Sequence, residues 1–170
     1  MTNPFVEIAP TALGDNVFQV IGRDAMLITA GTADNFNTMT ASWGGWGHLW
    51  NRDVTFCFVR PQRYTFGFME QAEFYTLCFF DKAHQAALDY CGSHSGRDVD
   101  KIAVTGLTPV ADATGAVYFA EARLALICHK LYAQDLTADS FIERGVVGEA
   151  YPKADFHRMY VGQIMRCLRA

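Results

Sequence analysis

This 170-residue chain lacks most of the signatures that settle a function quickly. It has no Gly-x-Ser-x-Gly and no Gly-x-x-x-x-Gly-Lys-[Ser/Thr], so the serine-hydrolase and phosphate-loop readings lose their anchors. Gly44-Gly45-Trp46-Gly47 does not have the spacing of a dinucleotide fingerprint. No apolar run reaches the roughly 18 residues of a membrane span, and no internal repeat or low-complexity linker interrupts the chain. Residues 1–10 carry no basic segment followed by an apolar core, so no signal peptide is expected. Charged residues are only 19%, and the net charge is −4. That disfavours a broad nucleic-acid surface but leaves room for a local anion pocket.

The five cysteines are an odd number without a Cys-x-x-Cys pair. Cys57, Cys78, Cys91, Cys128 and Cys167 fall mostly within apolar runs. They read as buried free thiols of a cytoplasmic protein, not as a disulfide framework. Cys91 and His94 are three apart and Cys128 adjoins His129, but no matching second pair exists, so no metal site is expected. His48, His84 and His157 read as surface or packing residues. Scattered carboxylates mark no acid–base pair.

Apolar residues make up 51% of the chain and aromatics 14%. At this length that is most simply one domain, residues 1–170, with a β-rich core. Residues 16–21 and 25–30 read as strands parted by Gly22-Arg23-Asp24. Residues 38–43 read as a strand with Thr38, Thr40 and Ser42 on one face. Residues 44–51 read as a Trp-rich loop that packs against a partner, a ligand or a second subunit. Residues 54–60 alternate cleanly, with Val54, Phe56 and Phe58 against Thr55, Cys57 and Val59. Thr65 is a candidate N-cap for a short helix to Gln71. Residues 74–80 are apolar nearly throughout, the pattern of a strand buried on both faces. Asp81 and Asp98 mark starts of further short helices, and Gly106 marks an end. Residues 122–134 and 157–168 complete the strands. About eight strands with short helices inserted imply a mainly β fold, a closed or nearly closed antiparallel barrel.

Chemistry concentrates in Asn37-Thr38-Met39-Thr40-Ala41-Ser42-Trp43-Gly44-Gly45 and in Arg60-Pro61-Gln62-Arg63-Tyr64-Thr65. Small side chains let a flat ring approach the backbone, hydroxyls and an amide bond its polar edge, and guanidiniums meet a phosphate. Ser95, Gly96, Arg97 and Lys101 form a third donor-rich block, weak evidence on its own.

In order, these blocks, with Val59 before Arg60, Asp98-Val99-Asp100 before Lys101, and Thr105-Gly106-Leu107-Thr108-Pro109-Val110 after it, resemble the flavin reductase-like, FMN-binding split-barrel family. They are most similar to its flavoredoxin branch. The resemblance spans roughly residues 15–168. It implies a Greek-key barrel of six strands with additions, a homodimer, and non-covalent FMN near the dimer interface. It also implies that Asn37, Thr38, Met39, Thr40, Ala41, Ser42 and Trp43 line the ring and ribityl chain. Arg60, Arg63, Tyr64 and Thr65 then face the phosphate, Arg60 ahead of Arg63, while Ser95, Gly96 and Lys101 close the site. The Trp-rich stretch departs from the family pattern. No catalytic residue is implied, because the flavin carries the redox chemistry. The activity implied is an NAD(P)H-dependent flavin reductase. The alternatives are a flavoredoxin-like carrier reduced by a partner protein, or a flavin-free module that uses its aromatics for an apolar ligand.

Overall fold

A computed structural model describes residues 5–170, so the first four residues of the leader reading lie outside it. Among the described residues there are ten strands: β1 Val6–Ile8, β2 Met26–Thr32, β3 Asn35–Ala41, β4 Gly44–Leu49, β5 Arg52–Val59, β6 Phe74–Phe79, β7 Pro109–Ala111, β8 Val117–Phe119, β9 Leu124–Asp135 and β10 Arg158–Arg169. Five helices accompany them: α1 Val17–Val20, α2 Tyr64–Gln71, α3 Gln85–Ser93, α4 Lys101–Thr105 and α5 Gly145–Ala150. None is long and apolar enough to cross a membrane.

One sheet runs β3-β2-β6-β9-β10-β5-β4, with β1 added on β10, and every pairing in it is antiparallel. Its two ends, β3 and β4, are joined by Ser42 and Trp43 alone, so the sheet must roll into a barrel for its own connection to close. The period-two pattern then sorts side chains to two cores. Met26, Ile28, Leu77, Phe79, Leu124, Leu126, Cys128 and Tyr160 share one buried cluster. Leu27, Cys78, Ala125 and Ile127 point the other way, into a second cluster with α3 and the β7–β8 hairpin. The run at 74–80 is buried on both faces, as its composition implies.

All five cysteines are buried and unpaired with one another. Burial pushes the thiols of Cys78 and Cys128 up to about 12. Cys128 also sits in a polar chain inside the barrel, where the Thr55 hydroxyl lies 2.8 Å from the Tyr75 hydroxyl and donates to Cys128 Sγ at 3.3 Å. Gly162 makes space for this chain, since a Cβ there would stand 2.4 Å from the Tyr75 oxygen.

Four sequence expectations change, one of them being that α4 starts after Asp100, which caps it, and not at Asp98. Residues 16–21 are not a strand. Asn16 accepts from the Phe18 N–H at 3.1 Å and starts α1, a cap that outweighs six residues of ambiguous pattern. Residues 44–49 are a strand, not a loop. Trp50 and Asn51 take φ of 53° and 54°, the tight turn between β4 and β5. The three tryptophans pack within the chain itself: Trp46 on Phe79 in the core, Trp43 on Tyr151 and His157, Trp50 on Tyr132. Thr65 is not a cap, because α2 begins at Tyr64 with Arg63 at the cap position.

Candidate functional site

Strand β3 carries Asn37 and Met39 to a cavity of about 180 Å³. The start of α2 brings Arg63, Tyr64 and Thr65 to it, and the loop after α3 brings Ser95 and Gly96. Lys101, at the first turn of α4, closes it. An adjoining cavity of about 280 Å³ shares Asn37, Tyr64, Gly96 and Lys101 and adds Thr38. Together they reach the size range of a small-molecule site, roughly 300–1,000 Å³.

Local chemistry explains each placement. Asn37 is buried and its amide donates to the Thr65 hydroxyl at 2.7 Å. That bond draws Thr65 inward, which is why it does not cap α2. The helix consequently has no side-chain cap, and its first N–H groups keep their capacity for an anion. Gly96 is packed so tightly that a Cβ would stand 2.0 Å from Asn37 Oδ1. Asp100 caps α4, accepting from the N–H groups of Ile102 and Ala103 at 3.0 Å each, and this fixes Lys101.

The smaller cavity is electrostatically one-sided, with no carboxylate in its lining, while the adjoining one adds Asp34 and Asp100. Lys101 is 5% exposed and donates to the carbonyls of Thr38 and Cys91, both at 2.8 Å. Arg63 donates to the Gly92 carbonyl at 3.0 Å. Neither forms an ion pair among the described residues. Burial lowers both, and the neighbouring Arg63 charge helps bring Lys101 down to about 8. Two sequestered cations facing a cavity whose lining holds no carboxylate are the complement of a phosphate dianion.

Of the remaining sequence candidates, Thr38 lines the adjoining cavity and the others lie elsewhere. The hydroxyl row does not act as a row: Thr38 accepts from Thr29 Oγ1 at 2.9 Å, Thr40 donates to the Leu88 carbonyl of α3, and Ser42 is exposed. The Thr38 side chain therefore ties β3 to β2, and that of Thr40 ties β3 to α3. Ala41 packs against the barrel core. Arg60, ranked ahead of Arg63 for the phosphate end, lies outside the cavity. It pairs with Asp155, donates to the Ala150 carbonyl at 3.0 Å, and sits over the Tyr151 ring at 5.4 Å. Trp43 joins this second cluster, 4.9 Å from the His157 ring. There the Tyr151 hydroxyl meets His157 Nδ1 at 2.9 Å, and burial followed by the Arg60 charge pushes His157 down to about 4. Arg60 thus fastens the segment after α5. Arg60→Ala is expected to raise the rate of proteolysis at Lys153 by about tenfold, by exposing the equilibrium open state of that segment. An unchanged rate would mean that Arg60 does not fasten it.

Sequence reasoning missed Tyr151, Asp155 and α5, a six-residue helix too short to show a period of its own. It also missed the carbonyls of Gly92 and Cys91, which no side-chain pattern encodes.

A family model described as "Flavin reductase like domain" matches residues 19–168. No curated protein matches. Solved structures do. The flavoredoxin of Desulfovibrio vulgaris (Miyazaki F) is 22% identical, with a TM-score of 0.67 over 94% of this chain and 75% of that one. An FMN-binding domain of a flavin reductases-like enzyme from Shewanella baltica OS155 is 14% identical, with a TM-score of 0.69 over 98% and 78%. The Streptomyces globisporus C-1027 NADH:FAD oxidoreductase SgcE6 is 14% identical, with a TM-score of 0.65 over 86% and 75%. At these identities the likeness speaks for a common split-barrel fold.

Proposed function

Because the chain belongs to the flavin reductase-like domain family, we propose that it binds FMN non-covalently in the Asn37–Lys101 cavity and acts as an NAD(P)H-dependent flavin reductase. The observation that carries this reading is the pair Arg63 and Lys101, two sequestered cations without an acidic partner at an uncapped helix start. Their donor set fits a phosphate. The pinned Asn37 amide and the bare Gly96 backbone suit a polar chain lying close to the protein. Solved structures of FMN-binding proteins with the same fold support the same cofactor.

When bound, the flavin supplies the two-electron chemistry. The chain's own residues do the rest. Arg63 and Lys101 hold the phosphate, and the α2 N-terminus adds oriented N–H groups. Thr65 keeps the Asn37 amide in one orientation. Tyr64 covers the cavity edge, with the Arg97 guanidinium 4.9 Å over its ring. No side chain is required as acid or base.

The test is an absorbance spectrum of the protein as purified, then titration with NADH and NADPH under anaerobic conditions. Flavin absorbance at about one FMN per chain, bleached rapidly by either nucleotide, is the expected result. Colourless protein that also fails to take up added FMN, with an unchanged melting temperature, ends the reading.

A second reading rests on a different feature. Trp43 and Trp50 are 45% and 53% exposed, the kind of aromatic surface that docks another protein. In that case the flavin is reduced by a protein partner, as in a flavoredoxin-like carrier, and neither nucleotide bleaches it. The same surface supports a homodimer, for which light scattering should give twice the chain mass.

A further inference from the structure

We propose that the open cavity at the start of α3 is an effector site: it takes a small apolar carboxylate, and α3 relays that binding to the phosphate cavity. The relay rests on the flavin reading above; the carboxylate seat does not. The cavity measures about 530 Å³, within the range of a small-molecule site. It is lined from the turn after α1, the chain after β6, the first turns of α3 and the turn before β9. It shares no lining residue with the phosphate cavity, and the flavin reading gives it no role.

Its floor is apolar and its rim is cationic. Phe80 and Leu88 are 6% and 2% exposed and belong to the second core cluster, so the floor is fixed hydrocarbon. Around it stand Arg23, Lys82 and Arg123, with Asp24 and Asp81. Arg123 is already engaged, donating to Asp15 at 2.8 Å and lying 3.8 Å from Asp81. Asp24 accepts from the Gln19 amide at 2.8 Å. Arg23 and Lys82 differ from these. Among the described residues neither side chain forms a hydrogen bond or an ion pair, so both keep their donors for a ligand. The turn that carries Arg23 is held in place, because the N–H groups of Arg23 and Asp24 both go to the Gln19 carbonyl, at 3.0 and 2.9 Å. Three cations against two carboxylates leave the lining one positive charge in excess, which suits a monoanion. The guanidinium fork matches a carboxylate, and an apolar body gains by covering Phe80 and Leu88.

Helix α3 ties this seat to the other one. Leu88 lines the cavity, and its carbonyl accepts from the Thr40 hydroxyl of β3. One turn on, the Cys91 carbonyl accepts from Lys101 at 2.8 Å and the Gly92 carbonyl from Arg63 at 3.0 Å. Along the helix axis Leu88 and Gly92 are only about 6 Å apart. One arrangement of α3 therefore forms both seats. A ligand of either seat favours that arrangement, and each raises the affinity of the other by the same factor.

The experiment uses 3-phenylpropionate as the probe on the full-length protein, followed by ligand-observed NMR and calorimetry. One probe should bind per chain, with a dissociation constant in the millimolar range. 3-Phenylpropionamide, which lacks the charge, and propionate, which lacks the ring, should each bind about tenfold more weakly. The double variant Arg23→Gln, Lys82→Gln should weaken the probe about tenfold. Its melting temperature should stay unchanged, because neither side chain has a partner to lose. Saturating probe should tighten FMN about fivefold by flavin fluorescence quenching, and the double variant should lose that effect. Absence of saturable probe binding, binding that the double variant does not weaken, or an FMN affinity indifferent to bound probe each overturns the proposal. Protein that takes the probe but no FMN overturns the flavin reading instead and leaves the carboxylate seat standing.

Discussion

Arg63→Ala should weaken FMN binding by about ten- to hundredfold and leave the melting temperature nearly unchanged. A charge-assisted hydrogen bond contributes about 1.5–3 kcal/mol, and each 1.4 kcal/mol is about tenfold in affinity. Arg63 is the better test of the phosphate position than its partner, because it holds little else. Its one side-chain hydrogen bond goes to the Gly92 carbonyl, near the end of α3. Arg60→Ala is the internal control, three residues away on the same chain segment but facing Asp155 and Tyr151. Calorimetric titration of both variants with FMN decides the matter. If Arg60→Ala loses flavin and Arg63→Ala does not, the anion sits on the other side of β5 and the cavity assignment is wrong.

FMN affinity should also fall as pH rises through about 8, and the fall should depend on Lys101. The sign follows from linkage. In the free protein burial lowers the Lys101 ammonium from its ordinary value to about 8. A bound phosphate stabilises the charged form and raises it again. Below about 8 the ammonium is charged with and without ligand, so affinity is flat. Above it, binding must take up a proton, and affinity drops up to about tenfold per pH unit until the complex itself titrates. Folding stability without ligand moves the opposite way. The unfolded chain holds this proton to a higher pH than the folded one, so stability rises between about 8 and the ordinary lysine range. Lys101→Arg should remove the inflection, since a guanidinium stays charged throughout. A fluorescence titration of FMN at several pH values, in wild type and Lys101→Arg, measures it. An identical pH profile in both proteins would place the titrating group elsewhere.

How much of this was legible in the sequence differs from element to element. Strands were readable where alternation was long and two-sided, as in β6 and β9, because burial on both faces leaves a continuous apolar run. The three blocks that meet at the cavity were readable as blocks. Their internal roles were not. Thr65 looks like a cap until Asn37, 28 residues earlier, supplies a competing partner for its hydroxyl. Thr38 and Thr40 look like a ligand-facing row until α3 covers that face and takes the Thr40 hydroxyl. Arg60 and Arg63 are equivalent on paper. What separates them is Asp155, which comes 95 residues after Arg60 and belongs to a segment with no pattern of its own. These are tertiary choices among locally equal options, and local propensity carries no information about them.

The position of β10 has a consequence for biogenesis. It is the last of the described strands to leave the ribosome, yet it lies in the interior of the sheet, between β9 and β5, and also carries β1. Val6 pairs with Arg169 across nearly the whole chain. Until residues 158–169 emerge, β5 with β4 has no seam to join β9, and nascent chains hold two unjoined sheet fragments with bare edges. The barrel therefore closes only after translation has passed this strand, by slow, long-range zippering.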